Sequence, residues 1–166
     1  MSQLILPRTG ILSFLDDESR ELLTRYGTIT ATSAGEVVIH EGKPQTCLYV
    51  VIMGVYSVTT KVTGRDVQLD TVEAGDCFGE VSLFQPGAAS ATVTSVQAGQ
   101  LWFMESEQLQ QFLFDAPQAG CALILGINTI LSRRLKRANA VIRTNEIVPS
   151  FLSVRSRKRA DVAPQE

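Results

Sequence analysis

The chemistry this chain could perform is concentrated between Phe78 and Val93, in the run FGEVSLFQPGAASATV. A carboxylate, Glu80, follows a glycine directly; an apolar turn from Val81 to Phe84, a break at Pro86 and Gly87, and an alternating run from Ser90 come after it. That order reads as turn, short helix, turn, strand. A helix start leaves backbone N–H groups without an intrahelical partner, and several of them aimed at one point suit a phosphate. Glu80 beside them can accept a charge-assisted hydrogen bond from a sugar hydroxyl, although any helix start also favours a carboxylate through its dipole. Gly79 and Gly87 let backbone approach a ligand closely, or simply serve turns.

The rest of the chain must position this stretch, and its hydrophobic period changes twice. Asp16, Asp17 and Glu18 open a stretch in which Leu22 and Leu23 recur at helical spacing from Leu15 and which stops at Gly27, predicting a short N-terminal helix. From Thr28 the period becomes two: ITAT, VVIH, LYVVIM, VYSVTT and VQLDTV are β-rich runs, and TVTSVQ and GQLWFME follow the central stretch. Turns are marked by Gly42, Lys43 and Pro44, by Gly54, and by Thr63, Gly64 and Arg65. Such spacing predicts a mainly β protein with flanking helices, an antiparallel jelly-roll β-barrel of eight or so strands over about Thr28 to Glu105.

Ser106 then opens a helix with Leu109, Phe112 and Leu113 on one face, and Pro117 begins a longer one. Its stripe Ile124, Ile127, Leu131, Leu135, Ala138 and Ile142 has the spacing of a seam that packs on a partner, either the barrel or a second subunit. One domain is expected over residues 1–145, followed by a basic, disordered tail over 146–166 in which Pro149 ends any helix.

Composition narrows the function class. The hydrophobic content of 45% suffices for one core, the leading MSQLILPRTG is no targeting segment, and no apolar run approaches about twenty residues. A soluble, cytoplasmic protein without a membrane span is expected. Cys47, Cys77 and Cys121 show no paired spacing, so neither a disulfide framework nor a zinc site is indicated. The one histidine, His40, has no cysteine or acid at a useful spacing, and none of the common nucleophile, zinc-protease or P-loop motifs is present. No catalytic residue, metal or cofactor is expected. The net charge of −2 hides an asymmetry: Met1 to Ser132 carries 6 basic and 14 acidic residues, Arg133 to Glu166 carries 9 and 3. A basic end can meet nucleic acid, an anionic membrane or an acidic partner, or is simply solvated.

FGE, an apolar turn, a PG-containing loop and ATV together resemble the phosphate-binding cassette of the cyclic-nucleotide-binding domain family, of the kind found in cAMP receptor proteins. GEVVIHEG (Gly35 to Gly42), LYVVIMGVYSVTT (Leu48 to Thr60) and EAGDCFGE (Glu73 to Glu80) stand in the order and spacing of that family, so the resemblance spans roughly Ile11 to Ile142. It implies a ligand-sensing regulatory domain whose ligand, a cyclic nucleotide or a related small molecule, touches Phe78, Gly79, Glu80, Val81 and Ser82 before the loop and Ala89, Ser90 and Ala91 after it. Arg133 to Arg137 resemble the RRL-containing part of the family's last helix, whose following polar residues reach the base; Asn139 stands there, or is an exposed helix asparagine.

One departure changes the expected chemistry. Members that bind cAMP or cGMP have an arginine two residues before the alanine of the closing ATV, where this chain has Ala89; the preceding proline is replaced by Ala88. A methyl cannot make the bidentate pair that a guanidinium makes with a phosphate. Two functions therefore follow: a regulatory domain with weakened or altered cyclic-nucleotide binding, or a ligand-independent interaction module that keeps the fold and works through its long helix and basic tail. Bacterial relatives often add a DNA-binding domain after the long helix; only 24 residues follow Ile142, so none is expected. The helix stripe predicts a homodimer, which light scattering would register as a doubled mass that Asp at Leu131 and Leu135 reduces to one chain; a monomer at high protein concentration would contradict it.

Overall fold

The computed structural model describes residues 6–85 and 87–144, with side chains to residue 140. The expected tail and Pro149 lie outside the described residues, as does Pro86. The chain divides into two units, residues 1–134 and 135–166. Every described strand belongs to the first; the second contributes, among the described residues, the last ten residues of the final helix.

A 3-10 turn (Gly10–Phe14) leads into α1 (Asp17–Thr24). Strands β1 (Thr28–Thr32), β2 (Val37–Ile39), β3 (Pro44–Gln45), β4 (Cys47–Met53), β5 (Val55–Val62), β6 (Arg65–Glu73) and β7 (Cys77–Phe78) follow. Then come α2 (Glu80–Phe84), β8 (Gly87–Ala88), β9 (Thr92–Ser95), β10 (Gly99–Glu105), α3 (Ser106–Asp115) and α4 (Pro117–Thr144). Eight of the strands form two antiparallel four-stranded sheets, ordered β1-β10-β4-β7 and β2-β9-β5-β6; β3 and β8 make a separate two-stranded ribbon. The jelly-roll expectation is met, as two facing sheets with helices at both ends of the chain. No ladder joins the two sheets among the described residues, so the barrel is not closed by hydrogen bonds.

Local chemistry accounts for the connections. Thr63 and Gly64 both adopt positive φ, 49° and 80°, between Val62 and its partner Arg65, which is the two-residue hairpin turn whose twist matches the flanking strands. Asp16 caps α1 by accepting from the Ser19 N–H at 2.8 Å. At α3 the cap is Glu105 rather than Ser106: its side chain accepts from the Gln108 backbone, while Gln108 Oε1 accepts from the Glu105 N–H at 2.7 Å.

The run LYVVIM does not alternate cleanly, because β4 is covered on both faces. Leu48 and Val50 pack with Trp102, Met104, Leu23 and Phe112 beneath the helices; Val51 joins Tyr56, Phe78, Val93 and Leu101 between the sheets. Each such side chain, fully buried, contributes roughly 1.5–3 kcal/mol. A buried hydroxyl chain ties the sheets together at one end: Thr32 Oγ1 lies 2.8 Å from Tyr56 Oη and 3.2 Å from Ser95 Oγ, which donates to the Gln97 carbonyl.

The first half of α4 packs on the domain, through a face displaced from the expected stripe. Ala119, Leu123, Ile127 and Ile130 are buried, whereas Ile124 and Leu131 are half-buried and Leu135 is exposed. Small residues set this displacement. Gly120 faces Leu113 of α3, and a Cβ at Gly126 would stand 2.5 Å from the Ile11 carbonyl oxygen. Alanine in a helix interior is ordinarily favoured over glycine by about 1 kcal/mol, but the backbone oxygen leaves no room for the methyl. Gly126→Ala is therefore expected to destabilise the protein, by roughly 1–3 kcal/mol in urea unfolding; a more stable variant would show that the helix does not sit this closely on the 3-10 turn.

Candidate functional site

The site is built where β7 ends. Cys77 and Phe78 pair with Val50 and Tyr49, the Tyr49 and Phe78 rings stacking with centroids 5.0 Å apart, and the Tyr56 ring is tilted against Phe78 at 5.7 Å. Burial pushes the Tyr49 hydroxyl up to about 12, assisted by Cys47 next to it, so the phenol stays neutral. The chain then reverses at Gly79, whose φ of 82° starts α2. Glycine is required there twice over: the left-handed conformation disfavours a side chain, and a Cβ would stand 2.3 Å from both the Cys47 carbonyl oxygen and Gln45 Nε2. The close approach foreseen for Gly79 is thus made to β3 and β4.

That reversal turns Glu80 inward. Its side chain is only 5% exposed, and Oε1 accepts from Arg134 of α4 at 2.9 Å. The same guanidinium donates through Nε to Asp70 Oδ2 at 3.0 Å and through Nη2 to the Cys77 carbonyl at 2.6 Å. Beside it, the more exposed Arg133 donates to Asp76 at 2.6 Å. A buried carboxylate is costly unless paired, and Arg134 supplies the pair together with a fixed orientation. The Cys77 thiol lies in the same cluster, pushed well above its ordinary range by burial and by the Glu80 charge, so it is inert. Glu80 Oε2 accepts no hydrogen bond from a described residue.

The other wall comes from the ribbon. Gln45 pairs with Gly87 and Pro44 with Ala88. The Ala89 N–H donates to the Lys43 carbonyl and the Gly42 N–H donates to the Ala89 carbonyl, both at 2.8 Å, so two residues oppose one. With Gly42 at φ 77° this is a glycine-initiated bulge, and it consumes both backbone polar groups of Ala89. The Ala89 methyl is buried with Ile39, Val51, Phe78 and Val93. Gln45 links the walls: it pairs with Gly87, abuts Gly79, and holds the Cys47 N–H and carbonyl with its own amide.

Of the residues singled out in the sequence, Phe78, Gly79, Glu80, Ser82 and Ala89 thus converge around this reversal and ribbon, with Ser82 buried and Ala91 half-buried. Val81 and Ser90 are exposed. Gly87 is uncrowded: a Cβ there would come no nearer than 3.9 Å to any neighbour. Asn139 lies in the second unit, exposed on α4, and His40 is exposed after β2. Sequence reasoning missed Arg134 as the partner of Glu80; the adjacent basic residues Arg133 and Arg134 amid an apolar helix were the signal. Among the described residues no group of acids, histidines and cysteines could hold a metal, and no helix is long and apolar enough to cross a membrane.

Comparison with known proteins places these features. Residues 30–116 match the family described as cyclic nucleotide-binding domain. The chain is 29% identical over 136 residues to a CRP-like cAMP-activated global transcriptional regulator of Mycobacterium tuberculosis, an alignment covering 81% of this chain and 59% of that protein. The chain thus spans well under two thirds of the length of that relative, which is a regulator by description. Among solved structures, it is similar to the N-terminal domain of a transcriptional regulator from Streptomyces coelicolor A3(2), with a TM-score of 0.66 and 30% identity over 82% of this chain and 94% of the other. A cyclic nucleotide-binding domain from Methylobacillus flagellatus KT has a TM-score of 0.75 over 79% of this chain and 74% of its own; at 20% identity that likeness is one of fold.

Proposed function

The chain belongs to the cyclic nucleotide-binding domain family, and we propose that it is a ligand-sensing regulatory domain that holds cAMP and cGMP weakly or not at all. One observation carries this reading: at the position where the resemblance puts a phosphate-pairing arginine stands a buried alanine, with its N–H and carbonyl already spent on Lys43 and Gly42. A hydrogen bond to a charged group contributes roughly 1.5–3 kcal/mol, so its loss weakens binding about ten- to a hundredfold or more. The guanidinium closest to Glu80 does not replace it, since Arg134 is committed to Glu80, Asp70 and the Cys77 carbonyl. Moving a phosphodiester into such a site costs hydration that few groups return.

A second reading, a module that keeps the fold and acts without a ligand, is favoured by the same spent backbone groups at Ala89. Calorimetric titration of the unmodified protein and of Ala89→Arg with cAMP and cGMP, at one ionic strength, separates the two. Under the first reading the unmodified protein binds more weakly than micromolar and the arginine variant gains about 1.5–3 kcal/mol. Micromolar or tighter binding by the unmodified protein would overturn the weakened-pocket reading. No gain in the arginine variant would favour the ligand-independent module, because the pocket would then be closed to a nucleotide whatever its charge.

A further inference from the structure

We infer that the end of the chain, from Leu135 onward, is a docking element for the surface of an anionic lipid bilayer. The inference starts on α4. Every described side chain over residues 135–140 is exposed, including Leu135 at 63%. Leu135 and Ala138 follow one another at the helical step of three, and Lys136 and Arg137 lie off that line, so this last part of the helix is apolar on one side and basic on the other. The sequence carries the pattern on: Val141 and Ile142 keep the apolar spacing, and Arg143 follows.

Outside the described residues the sequence pairs apolar and basic groups again. Residues 147–159 read IVPSFLSVRSRKR, five large apolar side chains and then four basic ones within five positions. Over residues 135–159 there are seven basic residues and one acidic, whereas the first unit carries 8 basic and 14 acidic, so the net positive charge is confined to this end. A leaflet of acidic phospholipid attracts such a cluster: each Lys or Arg at the surface strengthens binding roughly fivefold, and apolar side chains beside them enter the boundary between headgroups and acyl chains. Charge complementarity selects the bilayer over two other occupants. A second copy would bring the same positive excess to the contact, and a nucleic acid duplex would pair with the basic residues but make no use of Leu135, Phe151 and Leu152.

Co-sedimentation of the full chain with vesicles of phosphatidylcholine alone, or of phosphatidylcholine with about one third phosphatidylserine, tests this. Binding to the acidic vesicles is expected to be roughly tenfold or more tighter than to the neutral ones, and to weaken as salt is raised. Arg155→Gln, Arg157→Gln, Lys158→Gln and Arg159→Gln together should weaken it about a hundredfold or more, and Phe151→Ser with Leu152→Ser roughly tenfold. Equal sedimentation with both kinds of vesicle, or none with either, would overturn the inference. So would acidic-vesicle binding that the changes at Phe151 and Leu152 leave intact, since a bare charge contact is open to any polyanion. Tighter binding to a DNA duplex than to acidic vesicles at equal phosphate concentration would assign this end to nucleic acid. A doubled mass without vesicle binding, returned to one chain by Leu135→Asp, would assign the exposed side of α4 to a second copy; either result contradicts the bilayer.

Discussion

The guanidinium of Arg134 is the point on which the site depends. It reaches Glu80 at the start of α2, Asp70 on β6 and the carbonyl of Cys77 on β7, so one side chain from α4 fastens three separate elements of the domain. Glu80 is almost wholly withdrawn from water, and a buried carboxylate is costly unless it is paired and hydrogen-bonded. A lysine could not do the same, since an ammonium lacks the planar fork that lets Nε and both terminal nitrogens serve different acceptors. Burying the carboxylate and placing an arginine at this point of α4 are two halves of one arrangement.

A second, independent fastening holds the other wall. The two-residue ribbon of β3 and β8, the bulge at Gly42 and the Gln45 amide fix the loop after α2 onto the turn before β4. Both fastenings satisfy polar groups that the fold would otherwise bury without partners, which costs roughly 1–3 kcal/mol for each group left unpaired. They differ in consequence. On the Glu80 side a nearly buried carboxylate is paired with a guanidinium; on the Ala89 side the backbone N–H and carbonyl are bonded to Lys43 and Gly42 and the side chain is apolar.

The long strands and the three longer helices were legible in the sequence because their periods of two and of three to four are sustained over enough residues to register. Two-residue strands are not: Pro44–Gln45, Cys77–Phe78 and Gly87–Ala88 are too short to show any period, yet they shape the site. Glu80 stood out because an acid directly after glycine at a helix start is a local signal. Its partner lies 54 residues away, and no pattern in the chain pairs them; only the fold brings α4 across the end of β7. The buried face of α4 escaped the sequence for a related reason. A stripe drawn through large apolar residues passes over Gly120 and Gly126, whose missing side chains let the helix approach and so set which face turns inward.

The most direct test of this account is a double-mutant cycle between Glu80 and Arg134, read by urea unfolding of the unmodified protein, Glu80→Gln, Arg134→Met and the double variant. Each single change removes the ion pair between the two side chains and should destabilise the fold, whereas the second change made on top of the first should cost less. The predicted coupling is about 1–3 kcal/mol. Additivity within about 0.3–0.5 kcal/mol would contradict the account, because it would mean that Arg134 does not hold the carboxylate at the centre of the site.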